Sequence, residues 1–346
     1  MIEHGRSRLV ARGARRATGP RIAVPVLAVL LACAGCGGVL DPKGKRADQT
    51  ATLAWILFAI AAAVFVLIVV LLLLAVFRSR RGPLSADTPE PDRAERPAEF
   101  LTMFGAAFPV VVLAVVLLVS LGPLGSQASS APNALTVRIV GHRWWWEIEY
   151  PELGIKTANE LHLPVAQKVN LELTSADVVH SFWVPQLSGK TDLIPGQVNK
   201  MWIEAGSAGT YEGSCAEYCG VGHTNMDMLV VADQQNDFDA WVKGQQAVPP
   251  VPVSDPMLEG MQVFLGSACV YCHRIAGTNA SSGFGPDLTH LASRRELGAG
   301  VVPNTVGNLA GWIVDSQHLK PGNAMPAMNL DGKELQDLLA YLESLT

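Results

Sequence analysis

The sequence predicts a multidomain chain: a two-helix transmembrane hairpin, then an all-β domain, then an all-α domain. Three observations predict it. Two long apolar runs, at 50–78 and 99–122, flank an arginine-bearing linker at 79–98. Short alternating runs broken by Gly, Pro and Asn turns fill 134–245, the pattern of an antiparallel sandwich. After a Pro/Val linker at 246–256, the chain from 257 to 346 runs helix, C-x-x-C-H, loop, helix.

Charge is divided unevenly between these parts. From Arg138 to the end, 12 Lys and Arg stand against 23 Asp and Glu, whereas the preceding part holds 14 against 8. A basic membrane part and an acidic globular part suit a basic protein partner and argue against nucleic acid. The six cysteines fall into three close pairs, Cys33/Cys36, Cys215/Cys219 and Cys269/Cys272. None is left over for a disulfide framework, so each pair needs its own explanation.

The first 35 residues read as a signal peptide, with six arginines before a short apolar stretch and a small-residue exit. Leu30-Leu-Ala-Cys33 resembles a bacterial lipobox, which makes Cys33 a candidate lipidated N-terminus. Cys36, after Ala-Gly, competes with it, and ordinary cleavage with an incidental Cys is the third reading.

No charge interrupts Gln49 to Phe77, a length that spans the hydrocarbon core as a helix. The second run is apolar from Phe100 to about Leu121, with Pro109 inside it as a site of kinking or adjustment. Arg78, Arg80, Arg81, Arg93 and Arg96 place the intervening loop in the cytoplasm. Everything after Leu121 is then periplasmic or outer-facing.

Strand signals follow at Leu135–Val140, Trp144–Tyr150, Glu160–Leu163, Val169–Thr174 and Met201–Glu204. Three consecutive tryptophans, 144 to 146, cannot share one face of a strand, so at least one is expected near the surface. The densest chemistry lies in Cys215-Ala-Glu-Tyr-Cys-Gly-Val-Gly-His-Thr-Asn-Met226. Two thiols, an imidazole and a thioether on one loop are soft donors suited to copper, zinc or iron–sulfur. Cys215 and Cys219 read as bridging two coppers, each with its own imidazole. His223 supplies one, and His180, ending an apolar strand-like run, is the candidate for the other. The alternatives are a Cys2His2 zinc site, which has no use for Met226, and a Cys215–Cys219 disulfide, which leaves His223 and Met226 unexplained.

This loop, His180 and Gly141-His-Arg-Trp-Trp-Trp-Glu-Ile-Glu-Tyr150 resemble subunit II of cytochrome c oxidase, over roughly 52–242. The resemblance implies a Greek-key, cupredoxin-like domain holding a dinuclear CuA centre. Its ligands would be His180, Cys215, Cys219, His223, Met226 and the backbone carbonyl of Glu217. It further implies that the Glu217 carboxylate reaches a magnesium ion shared with the catalytic subunit, the alternative being a plain surface glutamate. Trp144 takes the position where electrons enter, with Trp145 standing where the family has Tyr. Glu99 is the nearest candidate for the glutamate that opens a proton path, and a charge marking the helix end is the competing reading.

The last part supplies the donor side. Met257–Leu265 reads as an amphipathic helix running into Cys269-Val-Tyr-Cys272-His273, the c-type haem attachment motif. The thiols add to the vinyl groups and His273 ligates iron. Met325, in Lys-Pro-Gly-Asn-Ala-Met-Pro326 before a last helix at 331–345, is the candidate distal ligand. Met328 competes for that role, while His290 and His318 suit a high-potential carrier less well. The order resembles a class I cytochrome c, and Gly285-Pro-Asp-Leu-Thr-His-Leu291 and Trp312 add to the match.

Together these resemble subunit II of caa-type haem–copper oxidases, on the bacterial inner membrane. The implied partners are subunit I, the other oxidase subunits, and a cytochrome c or bc1-type complex as donor. The implied activity is electron delivery to subunit I, which reduces O2 and translocates protons. A membrane copper-delivery protein and a free-standing electron carrier are the rival functions.

Overall fold

The computed structural model describes residues 40–79, 91–127 and 131–346. The expected signal peptide, with Cys33 and Cys36, and residues 80–90 of the linker lie outside these. Helix α1 spans Lys45–Ser79 and α2 spans Pro91–Gln127. Both exceed the expected runs. The sequence places the first eight residues of α2 in the linker, but Pro91 pre-sets the first helical turn and Ala94, Glu95 and Ala98 are good helix formers. The helix also runs through Pro109 without ending and passes Leu121. Apolar side chains such as Phe65, Leu72, Leu113 and Leu118 face outward along both helices.

Ten strands make two five-stranded sheets. The first holds β3 (Ile155–Ala158), β2 (Trp145–Tyr150), β1 (Thr136–His142), β5 (Val169–Ser175) and β8 (Asn199–Ile203), in that order. The second holds β4 (Glu160–Pro164), β10 (Asp227–Asp233), β9 (Gly209–Cys215), β6 (His180–Trp183) and β7 (Thr191–Leu193). Alternate residues of β1 and β5, such as Val137, Ile139, Leu171 and Leu173, bury their side chains fully between the sheets. Each such burial stabilises the fold by roughly 1.5–3 kcal/mol. The Tyr150 hydroxyl closes one corner, donating to the His162 carbonyl at 3.0 Å and accepting its N–H at 2.8 Å.

Three expectations are corrected. The sandwich is not purely antiparallel: β1 pairs with β5, and β4 with β10, in parallel, because the chain crosses between sheets rather than turning back on itself. His180 opens β6 instead of ending a strand. Trp144, expected at the start of a strand, lies in the turn between β1 and β2. Of the three tryptophans, Trp144 and Trp146 are buried, and Trp145 is half-buried, stacked on His142 at 4.3 Å.

The chain just before and into α1 packs on this sandwich. Lys43 N–H donates to the Gln186 carbonyl at 2.7 Å, and Arg46 donates to the Trp202 carbonyl at 3.0 Å with its guanidinium over the indole. Helix α3 (Gln235–Gln246) then leads out of the β domain.

The last part holds α4 (Asp255–Gly266), a 3-10 turn (Ala268–Tyr271), the short pair β11 (Glu296–Leu297) and β12 (Val302–Pro303), α5 (Val306–Leu319) and α6 (Gly332–Glu343). Asp331 and Glu334 form a capping box that starts α6. Phe264, Leu338, Tyr341 and Leu342 join α4 and α6 in one apolar core.

Candidate metal and haem sites

The loop expected to carry metal lies between the last two strands, β9 and β10. Cys215 ends β9, and its N–H donates to the Met226 carbonyl at 2.9 Å, so strand pairing closes the loop. Ala216 N–H donates to the Ser181 carbonyl at 2.9 Å and ties the loop to β6. A 3-10 turn at His223–Asn225 brings the imidazole back toward the thiols.

The donors converge. Cys215 Sγ lies 3.8 Å from Cys219 Sγ, 3.9 Å from His180 Nδ1 and 3.2 Å from the Glu217 carbonyl oxygen. Cys219 Sγ lies 3.7 Å from His223 Nδ1 and 3.9 Å from Met226 Sδ. His180, Cys215, Cys219 and Met226 are all buried, and the cysteines are free thiols. The hydrogen bond shared with Cys219, with help from His180, pushes the Cys215 thiol down, whereas the same bond and burial push Cys219 up. A thioether and two imidazoles around paired thiols fit soft copper better than a closed tetrahedral zinc site.

Space for this arrangement depends on small residues. A Cβ at Gly141 would meet the His180 ring at 2.8 Å, and one at Gly222 would reach the Trp144 indole at 2.5 Å. The Trp144 ring thus lies on the loop itself, and its Nε1–H donates to the Cys219 carbonyl at 3.0 Å.

Asp177 was not singled out from the sequence. It stands three residues before His180 and accepts from His180 Nε2 at 2.8 Å, which turns Nδ1 toward Cys215. Burial alone would raise its carboxyl, but hydrogen bonds from His180 and from the Val178 and Arg143 N–H groups outweigh it and hold it low. A carboxylate orienting a candidate ligand imidazole is the arrangement metal sites use. A carboxylate three residues before a proposed ligand histidine is the signal that could have revealed it.

Glu217 is half-buried, and its carboxylate pairs with Lys190 at 3.4 Å. Glu99 is exposed on α2, three residues before the apolar stretch at Thr102–Leu121.

In the C-terminal domain, His273 N–H and Cys272 N–H both donate to the Cys269 carbonyl, at 2.9 and 3.2 Å. His273 Nδ1 faces the Pro286 carbonyl at 2.8 Å, leaving Nε2 for a ligand role, and burial lowers its basicity. Gly285 sits against the same ring, which explains the Gly285-Pro-Asp segment. Two half-buried free thiols beside an oriented imidazole fit covalent haem. Met325 and Met328 are both half-buried against the domain core. His290 has both ring nitrogens on backbone carbonyls, Thr346 at 2.9 Å and Gln245 at 3.0 Å, and His318 is exposed.

Known proteins carry the same two parts. Residues 153–233 match the family described as cytochrome c oxidase subunit II, periplasmic domain, and residues 257–346 match cytochrome c. Cytochrome c oxidase subunit 2 from Alkalihalophilus pseudofirmus is 32% identical over 334 residues, covering 93% of this chain and 96% of its own. The chain belongs to the cytochrome c oxidase subunit 2 family. The Bacillus subtilis protein of that name is 29% identical, over 94% of this chain and 97% of its own. The solved periplasmic domain of subunit II of cytochrome oxidase from Bradyrhizobium japonicum is 28% identical, covering 34% of this chain and 96% of that one, with a TM-score of 0.33. Subunit 2 proteins are parts of haem–copper oxidases, which are oxidoreductases, and membership implies association with the other oxidase subunits. The two domain families imply CuA copper and haem c. The fusion of both domains on one chain is that of a caa3-type oxidase.

Proposed function

We propose that this chain accepts single electrons at its C-terminal domain and passes them through Trp144 to the loop at 215–226, for delivery to subunit I. The observation that carries this reading is the position of Trp144. Its indole touches Gly220 and Gly222 of the loop on one side, while Lys320 of the C-terminal domain donates to its backbone carbonyl at 2.6 Å. When bound, copper and haem supply the one-electron carriers. His180, Cys215, the Glu217 carbonyl, Cys219, His223 and Met226 would hold two coppers; Cys269, Cys272, His273 and Met325 would hold the haem.

The chain's own residues do the rest. Asp177 orients His180, the Pro286 carbonyl orients His273, and the buried sandwich excludes water from the thiols. The acidic exterior attracts a basic cytochrome c or a bc1-type donor, a salt-sensitive attraction. At the contact with subunit I, the Glu217 carboxylate could exchange Lys190 for magnesium, a hard cation suited to it. Glu99 is placed near the cytoplasmic end of α2, where a proton path could begin.

Sidedness has its own support. The start of α1 packs against the β domain through Lys43 and Arg46, and α2 leads into that same domain. Both outer ends therefore lie on one side of the membrane, as a two-pass anchor with a periplasmic domain requires.

The test is purification of the full chain in detergent. Metal analysis of the chain produced by itself should give about two copper and one iron, and from native membranes a large haem–copper subunit, bringing metals of its own, should co-purify. A single zinc would overturn the metal reading. Absence of the large subunit would favour a free-standing carrier. Trp144→Ala should slow reduction of copper by the C-terminal domain without removing either metal.

A further inference from the structure

Among the contacts between the C-terminal domain and the β domain, four hydrogen-bonded ones differ in character. Arg295 N–H donates to Glu160 Oε1 at 2.5 Å, and its guanidinium donates to Thr210 Oγ1 at 2.5 Å. Asp227 N–H donates to the Ala299 carbonyl at 3.0 Å. The fourth contact is Lys320, which is 2% exposed. Its Nζ donates to the Trp144 carbonyl at 2.6 Å and to the Gly298 carbonyl at 2.6 Å. Among the described residues, no carboxylate lies within ion-pair distance of it.

An ammonium buried on carbonyls alone is a costly group to place at a junction. Burial pushes its pKa down to about 7, with the Asp227 carboxylate pulling the other way. An apolar side chain would fill the same space more cheaply. What the cation adds is direction: it fixes one end of a particular loop on one particular carbonyl.

That loop runs from Lys320 to Met325 and is cross-braced by side-chain hydrogen bonds. Asn323 Nδ2 donates to the Lys320 carbonyl at 2.7 Å and to the Ser316 carbonyl at 3.1 Å, while its Oδ1 accepts the Met325 N–H at 2.8 Å. Gln317 Nε2 donates to the Asn323 carbonyl at 2.8 Å and to the Met325 carbonyl at 3.0 Å. Between these ends, a Cβ at Gly322 would stand 3.5 Å from the Trp144 ring. On the far side of that ring is the hydrogen bond to the Cys219 carbonyl. A continuous packed route therefore runs from Met325 through Gly322 and the indole to Cys219.

We infer that Lys320 is a positioning residue for electron exit, holding the 320–325 loop on Trp144 so that the electron leaves the C-terminal domain on its Met325 side. The inference rests on the proposed route through Trp144. In this step one electron leaves the ferrous side and one is taken up by the copper pair; no bond is made or broken. Tyr271 and Phe284, exposed beside the C-x-x-C-H turn, are left for the external donor.

The test uses the full chain in detergent, loaded with haem and copper. Lys320→Met should slow internal electron transfer after flash reduction by about tenfold or more, the scale expected when a reacting pair is displaced by about an ångström. The optical bands and potentials of both centres should stay as in the parent. Hydrogen exchange at the Asp227 amide, whose bond crosses to Ala299, should quicken by about tenfold as the junction loosens. Arg295→Ala, which removes an outer contact, should leave the transfer rate near the parent value. Lys320→Arg, which keeps a cation and donors for both carbonyls, should restore most of the rate. Should Lys320→Met not fold, Lys320→Gln stands in: its shorter amide cannot span both carbonyls, and the same slowing is expected. An unchanged rate in either variant overturns the positioning role. If Trp144→Ala is also without effect, the route itself is wrong; if Trp144→Ala alone is slow, only the role of Lys320 falls.

Discussion

Met226 and Met325 are both thioethers at the edge of a proposed redox site, yet different forces hold them. Met226 is fully buried at the foot of β10, and its carbonyl accepts the Cys215 N–H across the strand pair. Met325 is half-buried on an irregular loop, placed by the side chains of Asn323 and Gln317. The first arrangement uses backbone pairing, which almost any side chain permits. The second depends on two named amides. The β-domain site should therefore fail mainly when a donor is lost, whereas the C-terminal site should also fail when a support is lost.

The largest effect is expected from Cys219→Ser, which removes the sulfur nearest His223 and Met226. The copper-to-iron ratio should drop from about two to one or below, and the spin-resonance splitting by two equivalent coppers should vanish. Retention of the two-copper spectrum would show that Cys219 is not a bridge. Met325→Ala should abolish the weak sulfur-to-iron absorption band and lower the potential, while Met328→Ala should change neither. The reverse outcome would transfer the role to Met328. Asp177→Ala leaves every donor in place but frees the His180 ring, and copper affinity measured by competition should fall about 10- to 100-fold.

Asn323→Ala sharpens the comparison most directly. It should cost about 1–2 kcal/mol of stability and weaken the same absorption band, with copper binding untouched. An intact band would mean that the 320–325 loop holds its shape without this amide.

The smallest effect concerns His162. Its ring stacks on Trp241 at 4.2 Å, and Nδ1 faces Asp233 at 2.9 Å, with Glu160 at 3.9 Å from Nε2. Burial alone would lower its pKa, but the Asp233 and Glu160 carboxylates outweigh that and raise it. A raised folded value means its stabilisation is fully present below the unfolded pKa of about 6.5 and is lost as pH rises through the folded value. The melting difference between the parent and His162→Gln should therefore shrink as pH rises above about 6.5. A difference independent of pH would assign the effect to packing on Trp241.

The sites were more legible in the sequence than the sheets were. Cys215 to Met226 and Cys269 to His273 announce themselves because their spacing is set by chemistry. Trp144 could be placed only by resemblance, since nothing in three successive tryptophans tells which one meets the loop. Half of the ten sandwich strands carry no clear sequence signal, for physical reasons. Strands β3, β6 and β7 are three or four residues long, too short to display a period. Strand β9 is interrupted by Gly213, whose missing Cβ makes room for Met228 and Val184. The parallel pairing of β1 with β5 joins residues more than thirty apart, and no local pattern encodes it. Asp177 and Lys320 were passed over because a lone charge in a turn or loop usually faces water. Lys320 matters through partners distant in sequence, Trp144 and Gly298, whereas Asp177 joins the equally distant Arg143 to its near neighbour His180.

The packing of Lys43 to Ala51 on the sandwich has a practical meaning for anyone preparing the outer part by itself. Cutting the chain near Asn133 discards more than two greasy anchors. Gly44, Arg46, Ala47 and Ala51 are buried against the β domain. Removing them uncovers the Trp202 indole and frees the Gln186 and Leu187 carbonyls that accept from Lys43, Gly44 and Ala47. A truncated product would then carry a sticky scar on the β domain, and any tendency to self-associate should be traced there first. Grafting the 40–51 segment ahead of Asn133 through a flexible spacer should heal it without restoring a membrane helix.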